Sequence, residues 1–310
     1  MVPVEIKPSE VRFIKLGEGG KWEASCIESN TIRLGYRSPH HEEALKGNWE
    51  ILREYWLKER NGKQGSASNS VKQIRDFYEL DENCLWITFY KKRLYWCHAH
   101  TTVTEESDNS RTRKVIGQWC STDIHGRPLR VENLDGRVTK VQGFRGTICS
   151  VDMQYYLIRK INGHTTDEVL SAKHALLKLR GEVQELIKGL WWHDFELLID
   201  LIFSNSGWQR FSVLGKTEKD IDLDVYSPAT QKRAFVQIKS STSKSDFEFY
   251  LNAFHEYEQF DEMYFIYHTC DHDLSTSVGQ HRHIHLWDLS RIAALVVNSG
   301  LVEWLINKRS

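Results

Sequence analysis

Residues 220–239 read DIDLDVYSPATQKRAFVQIK, and this stretch decides the fold of the second half of the chain. Residues 220–225 alternate acidic and apolar side chains, a pattern typical of a β-strand with one buried face. The Ser-Pro pair at residues 227–228 favours a tight loop, and residues 234–239 form a second, mostly apolar run. We therefore predict a β-hairpin with Asp220, Asp222 and Asp224 on one face of its first strand.

An amphipathic helix is predicted just before the hairpin. Apolar residues recur at helical spacing from Asp194 to Phe203, and the polar run at residues 205–207 ends the pattern with a glycine. This spacing places Glu196 in the first turn. On the returning strand of the hairpin, Gln237 and Lys239 share the face that looks towards the aspartates. The helix carboxylate and the strand residues are therefore expected to lie close together.

Carboxylates beside a lysine suit metal-assisted hydrolysis of a phosphodiester. Mg²⁺ prefers oxygen ligands and keeps several waters, so one or two carboxylates and a substrate phosphate are enough to hold it. The ion lowers the pKa of a bound water and stabilises the leaving oxygen. A neighbouring lysine offsets the charge that develops on the phosphate. The residues thus predict a nuclease that uses Mg²⁺, for which Mn²⁺ can substitute.

The motifs resemble those of the PD-(D/E)xK nucleases and, among them, the Mrr-like restriction endonucleases. The matching elements are Phe195-Glu196, Gly207-Trp208, Ile221-Asp222 and Val236-Gln237-Ile238-Lys239. The resemblance implies a restriction-endonuclease-like α/β/α sandwich. It also implies that Glu196 and Asp222 bind the metal, that Gln237 replaces the usual second acid, and that Lys239 acts on the attacking water.

One departure leaves the metal ligands open. The family often has a Gly-Asp-Gly-Gly run before its Ile-Asp pair, whereas this chain has Lys219-Asp220. Asp220 and Asp224 therefore remain alternatives to Asp222 as the metal ligand. An Asp-x-Asp-x-Asp face is also compatible with the solvated side of an edge strand. The order of helix glutamate, hairpin aspartate and Gln-x-Lys is much harder to obtain by chance.

Residues 1–160 differ from the rest of the chain in their sequence pattern, which predicts a separate, β-rich domain. Residues 22–27 and 31–36 predict one hairpin, residues 85–97 predict another, and the Gly/Ser-rich residues 62–70 predict a loop. Six of the eleven tryptophans fall within the first 120 residues. They form either a core or a pocket in which a base stacks. The texture resembles the PUA-like modified-base readers, which implies a nucleic-acid recognition domain.

These elements together predict the domain organisation and the fold class. Thr165 and Glu168 have the spacing of a capping box and open a helix, which we interpret as a connector over residues 161–192. Residues 193–310 then form the nuclease domain. The chain as a whole is predicted to be α/β (α+β), with a β-rich first part and a sandwich in the second.

Composition limits the partners and the compartment. The chain is 40% hydrophobic and 27% charged, which is typical of a globular protein. No apolar run is long enough to span a bilayer and the N-terminus lacks a signal-peptide core, so no membrane partner is expected. The six cysteines are widely spaced without a Cys-x-x-Cys pair, which indicates reduced thiols and a cytoplasmic location.

The formal net charge of −1 does not exclude DNA, because binding depends on where the charges lie. Lys232 and Arg233 at the hairpin, with Lys216 in the turn before it, are the predicted DNA contacts. Cutting both strands of a duplex would be simplest with two active sites, so a homodimer is a further expectation.

The leading hypothesis is a Mg²⁺-dependent DNA endonuclease, a restriction or phage-defence enzyme that recognises foreign or modified DNA through its N-terminal domain. The alternative is a nuclease-like fold that has lost catalysis and serves as a nucleic-acid-binding or interaction protein. The joint presence of Glu196, Asp222, Gln237 and Lys239 favours the enzyme, because an inactive descendant has no chemical need for a lysine facing aspartates.

Overall fold

The chain folds into two compact units, residues 1–166 and 167–310. The structure, a computed structural model, describes residues 4–211, 221–274 and 283–310. Both units combine helices with a β-sheet, so the predicted mixed α and β class is confirmed. The division falls between Thr166 and Asp167.

The first unit is built on a seven-stranded sheet. Its strands are β1 Val11–Ile14, β2 Thr31–Leu34, β3 Leu85–Tyr90, β4 Arg93–Ala99, β5 Thr104–Glu105, β6 Arg111–Cys120 and β7 Ile148–Ser150. They lie in the order β2-β6-β4-β3-β1-β7, and β5 pairs with β6. Strands β1 and β3 are parallel, and the other neighbours are antiparallel.

Helices cover both faces of this sheet. They are α1 Glu23–Glu28, α2 His41–Leu45, α3 Trp49–Glu59, α4 Gln64–Glu79, α5 Gly136–Thr139 and α6 Gln154–Ile161, and a short 3₁₀ turn spans Glu18–Gly20. Strand β3 alternates between the two cores. Trp86 packs with residues of α3 and α4, whereas Leu85 and Ile87 pack with Leu157 of α6. Burial on both faces explains the nearly continuous apolar run of this strand.

Two predictions in this unit are wrong. Residues 23–28 form helix α1 rather than the first strand of a hairpin. Residues 64–79 form helix α4, although the Gly/Ser-rich residues 62–70 were expected to be a loop. Ala67, Val71 and Ile74 have helical spacing and are buried, and the hydroxyl of Ser70 donates to the carbonyl of Ser66. Tertiary packing on this apolar stripe therefore outweighs the weak helix propensity of glycine and serine.

In the second unit, the described residues form a five-stranded sheet. Its strands are β8 Gln209–Arg210, β9 Leu223–Ser227, β10 Lys232–Thr242, β11 Glu262–Cys270 and β12 Ile284–Trp287, in the order β12-β11-β10-β9-β8. Strand β9 is antiparallel to β8 and β10, whereas β10, β11 and β12 run parallel. The helices are α7 Asp167–Lys188, α8 Trp192–Asn205, α9 Lys244–Glu256, α10 Leu289–Asn298 and α11 Val302–Arg309.

Each face of the five-stranded sheet has its own core. Apolar residues of α7, α8, α10 and α11 pack on one face, and Phe247 and Phe254 of α9 pack on the other. The predicted α/β/α sandwich is therefore confirmed. Helix α7 was expected to be a connector, but Val183 and Ile187 are buried in the first of these cores. It is thus an integral part of the second unit.

The alternation predicted for residues 220–225 breaks at Asp222. Strand β9 begins at Leu223, and Leu223 and Val225 pack in the core that contains helix α8. Ile221 packs in the opposite core, against the side of helix α9. The chain therefore turns as it enters the strand, and Asp222 is placed at that turn rather than on a flat strand face. Asp220 and Lys216 lie outside the described residues.

All six cysteines are free thiols. Among the described helices, none is by itself both long and apolar enough to cross a membrane, although the bent pair α10 and α11 passes that test jointly on length and composition.

Candidate active site

Asp222 is held at the entrance to the hairpin by two hydrogen bonds to a single oxygen. Its Oδ2 accepts from Nε2 of Gln237 at 2.5 Å and from the backbone N–H of Ile238 at 2.6 Å. Both donors lie on β10, so the returning strand fixes the position of the carboxylate. Both bonds go to Oδ2. Within the described part of the chain, Oδ1 is therefore left for a further ligand.

The surroundings of Asp222 favour its neutral form. Burial, the largest cause, raises its pKa from 3.8 to about 6, and the nearby carboxylate of Glu196 adds to the rise. The Ile238 N–H, the Lys239 ammonium and the Gln237 amide act in the opposite direction without cancelling it. A cation bound here would offset the shift, because it would compensate the buried negative charge.

Gln237 carries an unsatisfied oxygen beside this carboxylate. The residue is only 2% exposed, and its Nε2 is committed to Asp222. Its Oε1 is buried and accepts no hydrogen bond from the described residues. A buried acceptor without a protein partner costs about 1–3 kcal/mol, so such an atom is usually satisfied by a bound water or ion. Amide oxygens are ordinary ligands of hard cations.

Lys239 lies on the same face of β10 as Gln237. Its Nζ is 4.9 Å from the ring centroid of Tyr250 on α9. Burial by itself lowers the pKa of Lys239, but contact with the Tyr250 hydroxyl and the charges of Asp222 and Asp246 outweigh it, so the net shift is upward. The side chain is therefore a fixed ammonium at neutral pH.

Glu196 reaches the site from helix α8. The helix begins at Trp192 instead of Asp194, so Glu196 is its fifth residue and lies just past the predicted first turn. The carboxylate is partly exposed, and its Oε2 lies 3.6 Å from Nδ1 of His193. Its negative charge contributes to the raised pKa of Asp222.

Asp224 does not join this group, contrary to its proposed place as an alternative metal ligand. Nε of Arg233 lies 2.9 Å from its Oδ1, and a second guanidinium nitrogen donates to its Oδ2. The guanidinium also lies over the rings of Phe211 and Phe260, at 4.5 and 5.1 Å. Both oxygens of Asp224 are thus occupied by a structural ion pair.

The predicted DNA contacts at the hairpin, Lys232 and Arg233, are also held in ion pairs. Arg233 is paired with Asp224, and the Nζ of Lys232 makes a short contact with the buried carboxylate of Glu262. Glu262 also accepts a hydrogen bond from the hydroxyl of Tyr264 at 3.0 Å. Neither cation is available for a phosphate without breaking an ion pair.

Several neighbours of the site were not predicted. Trp191 and Trp192 are exposed at the start of helix α8, and Trp191 contacts the ring of His193 at 4.5 Å. Exposed indoles beside a carboxylate offer faces on which bases can stack. The sequence feature that could have predicted these residues is the Trp-Trp-His run just before the helical pattern. Tyr250, by contrast, lies in a stretch whose aromatic spacing indicated only a helix.

The carboxylates available for a metal ion are few. Among the described residues, no group of three or more His, Cys, Asp or Glu side chains could hold one. Two carboxylates and an amide oxygen remain, namely those of Asp222, Glu196 and Gln237. This set fits Mg²⁺ or Mn²⁺ better than Zn²⁺, because a hard ion completes its shell with water and substrate phosphate oxygens.

Comparison with known proteins adds little to this geometry. No family model matches the chain, and no curated protein matches it. Among solved structures, it is similar to the DNA modification-dependent restriction endonuclease AspBHI, with a TM-score of 0.31 and 9% identity over 91% of this chain and 80% of that one. A likeness at this level carries no argument, so the functional proposal depends on the residues themselves.

Proposed function

We propose that this protein is a divalent-metal-dependent endonuclease that hydrolyses DNA phosphodiester bonds at the Asp222 site. The observation that carries the proposal is the buried, unpartnered Oε1 of Gln237 beside a carboxylate with a raised pKa. In a purely structural cluster these groups would be satisfied by one another, as Asp224 is by Arg233.

Asp222, Glu196 and Gln237 would hold the metal ion through their oxygens. The ion would supply a more acidic bound water and would stabilise the negative charge of the leaving oxygen. Asp222 is already oriented for this task, since two donors fix its Oδ2 and leave Oδ1 for a ligand. The Gln237 amide adds an oxygen without adding a negative charge next to Asp222.

Lys239 acts in this scheme as a cation and not as a base. With its pKa raised, the ammonium keeps its proton at neutral pH and can donate to a non-bridging phosphate oxygen or to the attacking water. The contact with Tyr250 restricts the motion of the side chain. A restricted donor costs little reorganisation when negative charge develops on the phosphate.

DNA is the substrate that the sequence motifs favour. The pattern from Phe195 to Lys239 resembles that of the Mrr-like restriction endonucleases, and in this scheme the first unit recognises foreign or modified DNA. The exposed Trp191 and Trp192, at the start of the helix that carries Glu196, would contact bases next to the scissile phosphate. A homodimer would supply the two sites required to cut both strands.

The test is nicking of supercoiled plasmid by purified protein with Mg²⁺, with Mn²⁺ or with EDTA. We expect cleavage with either metal and none with EDTA. Asp222→Asn should abolish it, because the neutral amide cannot provide the anionic ligand. Asp271→Asn is the matched control, since Asp271 is exposed and follows the end of strand β11 at Cys270.

Equal cutting by the two aspartate variants would refute the assignment of the site. If the wild-type protein binds DNA but never nicks it with either metal, the alternative of an inactive nuclease fold is favoured.

A further inference from the structure

The turn between strands β3 and β4 carries two lysines in a backbone conformation that disfavours them. Tyr90 pairs with Arg93 across the hairpin, so Lys91 and Lys92 form a two-residue loop. Their φ angles are +47° and +58°, both in the left-handed region. Loops of this kind usually contain Asn-Gly or a similar pair, because a β-carbon clashes with the backbone in that region.

The other non-glycine residues with a positive φ in the described part of the chain are Asn30, Asn61, Asn109 and Gln231. Three of these four are asparagine, which tolerates the left-handed region because its short polar side chain bonds to nearby backbone groups. Lysine has no such compensation. The β3–β4 turn therefore holds lysine at two positions where the fold by itself favours other residues.

Like charges also face each other at the base of this turn. Arg93 begins β4, and its backbone pairs with that of Arg130 in an antiparallel bridge. The N–H of Val131 donates to the carbonyl of Lys92 at 3.0 Å and ties the two segments together. Residues directly opposite in such a pair have Cβ atoms about 4.5–5.5 Å apart, and like charges there are destabilising. Folding gains nothing from this placement of charge.

Acidic side chains compensate only part of the charge. A guanidinium nitrogen of Arg130 lies 3.7 Å from Oε1 of Glu132. In the described ranges, no carboxylate lies within 4.0 Å of a side-chain nitrogen of Lys91, Lys92 or Arg93. All three side chains are exposed. These three residues form a compact group of open cations, the β3–β4 cluster.

An extended polyanion fits the cluster better than a lipid surface does. Adjacent cations on flexible stems match the closely spaced phosphates of a nucleic acid backbone. The Nζ of Lys91 lies 5.2 Å from the ring centroid of Tyr90, a contact that leaves its charge uncompensated. Among the described residues, the exposed large apolar side chains lie outside β3, β4 and their turn. The tip therefore has no large apolar side chain to insert into a bilayer interface.

We propose that the β3–β4 cluster holds the phosphate backbone of duplex DNA, independently of its sequence or modification. The proposal rests on the proposed function, because it assigns the first unit a contact with the same substrate. Phosphate contacts fix the position of a protein on the duplex and carry no sequence information. The unfavourable turn and the opposed arginines are then retained for binding at the expense of stability.

The experiment measures binding of the full chain to two short labelled duplexes of unrelated sequence, in EDTA and over a range of salt concentrations. Lys91→Gln with Lys92→Gln removes both charges and keeps a β-carbon at both turn positions. Affinity should fall about tenfold at about 100 mM salt, for both sequences. The slope of log K against log salt should become shallower by about 2, since each phosphate contact contributes about 0.9.

Lys91→Asn with Lys92→Gly separates the charge from the fold. Binding should weaken by the same factor, yet the melting temperature should rise by about 2–4 °C, because Asn-Gly suits the turn. A structural role for the lysines would give the opposite change in melting temperature.

Lys58→Gln with Lys72→Gln is the matched control. Both are exposed cations, on helices α3 and α4 of the same unit. Their replacement removes the same charge outside the β3–β4 turn. It should leave the affinity within about twofold and the salt slope unchanged, as expected for screened surface charges.

Unchanged affinity and salt slope in both turn variants would overturn the proposal, as would an equal loss in the control, which would mean that total charge alone matters. A lower melting temperature in the Asn-Gly variant would also overturn it, because the lysines would then serve the fold. Binding to vesicles containing phosphatidylserine in preference to DNA, lost in the turn variants, would assign the cluster to a membrane instead.

Plasmid nicking keeps this proposal apart from the proposed function. The turn variants should need about tenfold more DNA for half-maximal nicking and should reach the same maximal rate, because the Asp222 site is untouched. DNA binding that depends on the cluster, without nicking by the wild type, would reject the nuclease alone. Nicking with unchanged DNA binding in the turn variants would reject the cluster alone.

Discussion

The two ends of the β9–β10 hairpin contain similar residues in opposite electrostatic states. At the turn end, Asp224 is paired with Arg233 and Glu262 with Lys232. At the site end, Asp222 and Gln237 share one hydrogen bond, the amide oxygen has no partner among the described residues, and Lys239 is close enough to influence Asp222.

This difference separates structural charges from candidate catalytic ones. The charges at the turn end are already paired, because each acid has its own cation. A ligand could bind there only by breaking an ion pair. The site end is incomplete, because burial raises the pKa of Asp222 and an acceptor is left open. Perturbed groups of this kind cluster where proteins bind ions and substrates.

The largest expected effect contrasts the two lysines of strand β10. Lys239→Ala should lower the nicking rate about 10²–10³-fold, because it removes the cation that faces the developing charge. Lys232→Ala should change the rate by less than about threefold, because Glu262 holds this cation at the turn end, away from the developing charge. Single-turnover nicking assays measure both variants. Equal losses would mean that the two ends are not functionally distinct.

The next effect concerns stability at the turn end. Asp224→Ala leaves the Arg233 guanidinium without its acid in a partly buried position, so unfolding free energy should fall by about 2–3 kcal/mol, below the full cost of breaking a buried pair. Denaturant titration measures the loss. Nicking per folded molecule should persist, and its disappearance would place Asp224 in the site after all.

At the site end, the stability of the folded chain should depend on pH through Asp222. The pKa of Asp222 is higher in the folded chain, at about 6, than its usual 3.8, so ionisation of Asp222 destabilises the folded state as pH rises through this window. Asp222→Asn removes that cost. We expect the variant to be about 2 kcal/mol more stable than the wild type at about pH 8, with the difference vanishing below about pH 4.

Thermal melting across this pH range, with and without Mg²⁺, provides the measurement. Added Mg²⁺ should stabilise the wild type and not Asp222→Asn, because ligand binding stabilises only the state that binds. A stability difference that does not vary with pH would contradict the assigned burial of the charge.

The smallest expected effect tests the open oxygen of Gln237. Gln237→Glu replaces the side-chain amide with a carboxylate. It should tighten Mn²⁺ binding about tenfold, because each added anionic ligand strengthens a hard-cation site. Isothermal titration calorimetry measures the affinity. Gln231→Glu, in the exposed loop of the same hairpin, adds the same charge away from the site. Equal affinities in the two variants would show that Gln237 does not contact the metal.

Local patterns predicted much of the second unit. The two-residue period of a strand places Gln237 and Lys239 on one face, and a tight loop brings them back towards Asp222. These relations involve neighbours in sequence or across one hairpin. The sequence missed helix α1 and the start of helix α4, because their apolar stripes are short and acquire meaning only by packing on the sheet.

The roles of the charged residues could not be predicted in the same way. Lys232 and Arg233 look like free DNA contacts in the sequence, yet Glu262 and Asp224 hold them. Asp222 and Asp224 look equivalent, yet the chain turns at Asp222 and the alternation ends there. Whether a charge is free depends on partners that folding brings from elsewhere in the chain.

The sequence alone thus determined the mixed fold, the hairpin and the identity of the residues that can meet at its end, because these follow from periodicity and turn chemistry. Only the tertiary structure decided that Asp224 is a structural acid, that Gln237 keeps an open oxygen, and that Arg93 lies opposite Arg130 in the first unit. Burial and pairing are properties of the assembled chain, and they set which polar groups remain available for a ligand.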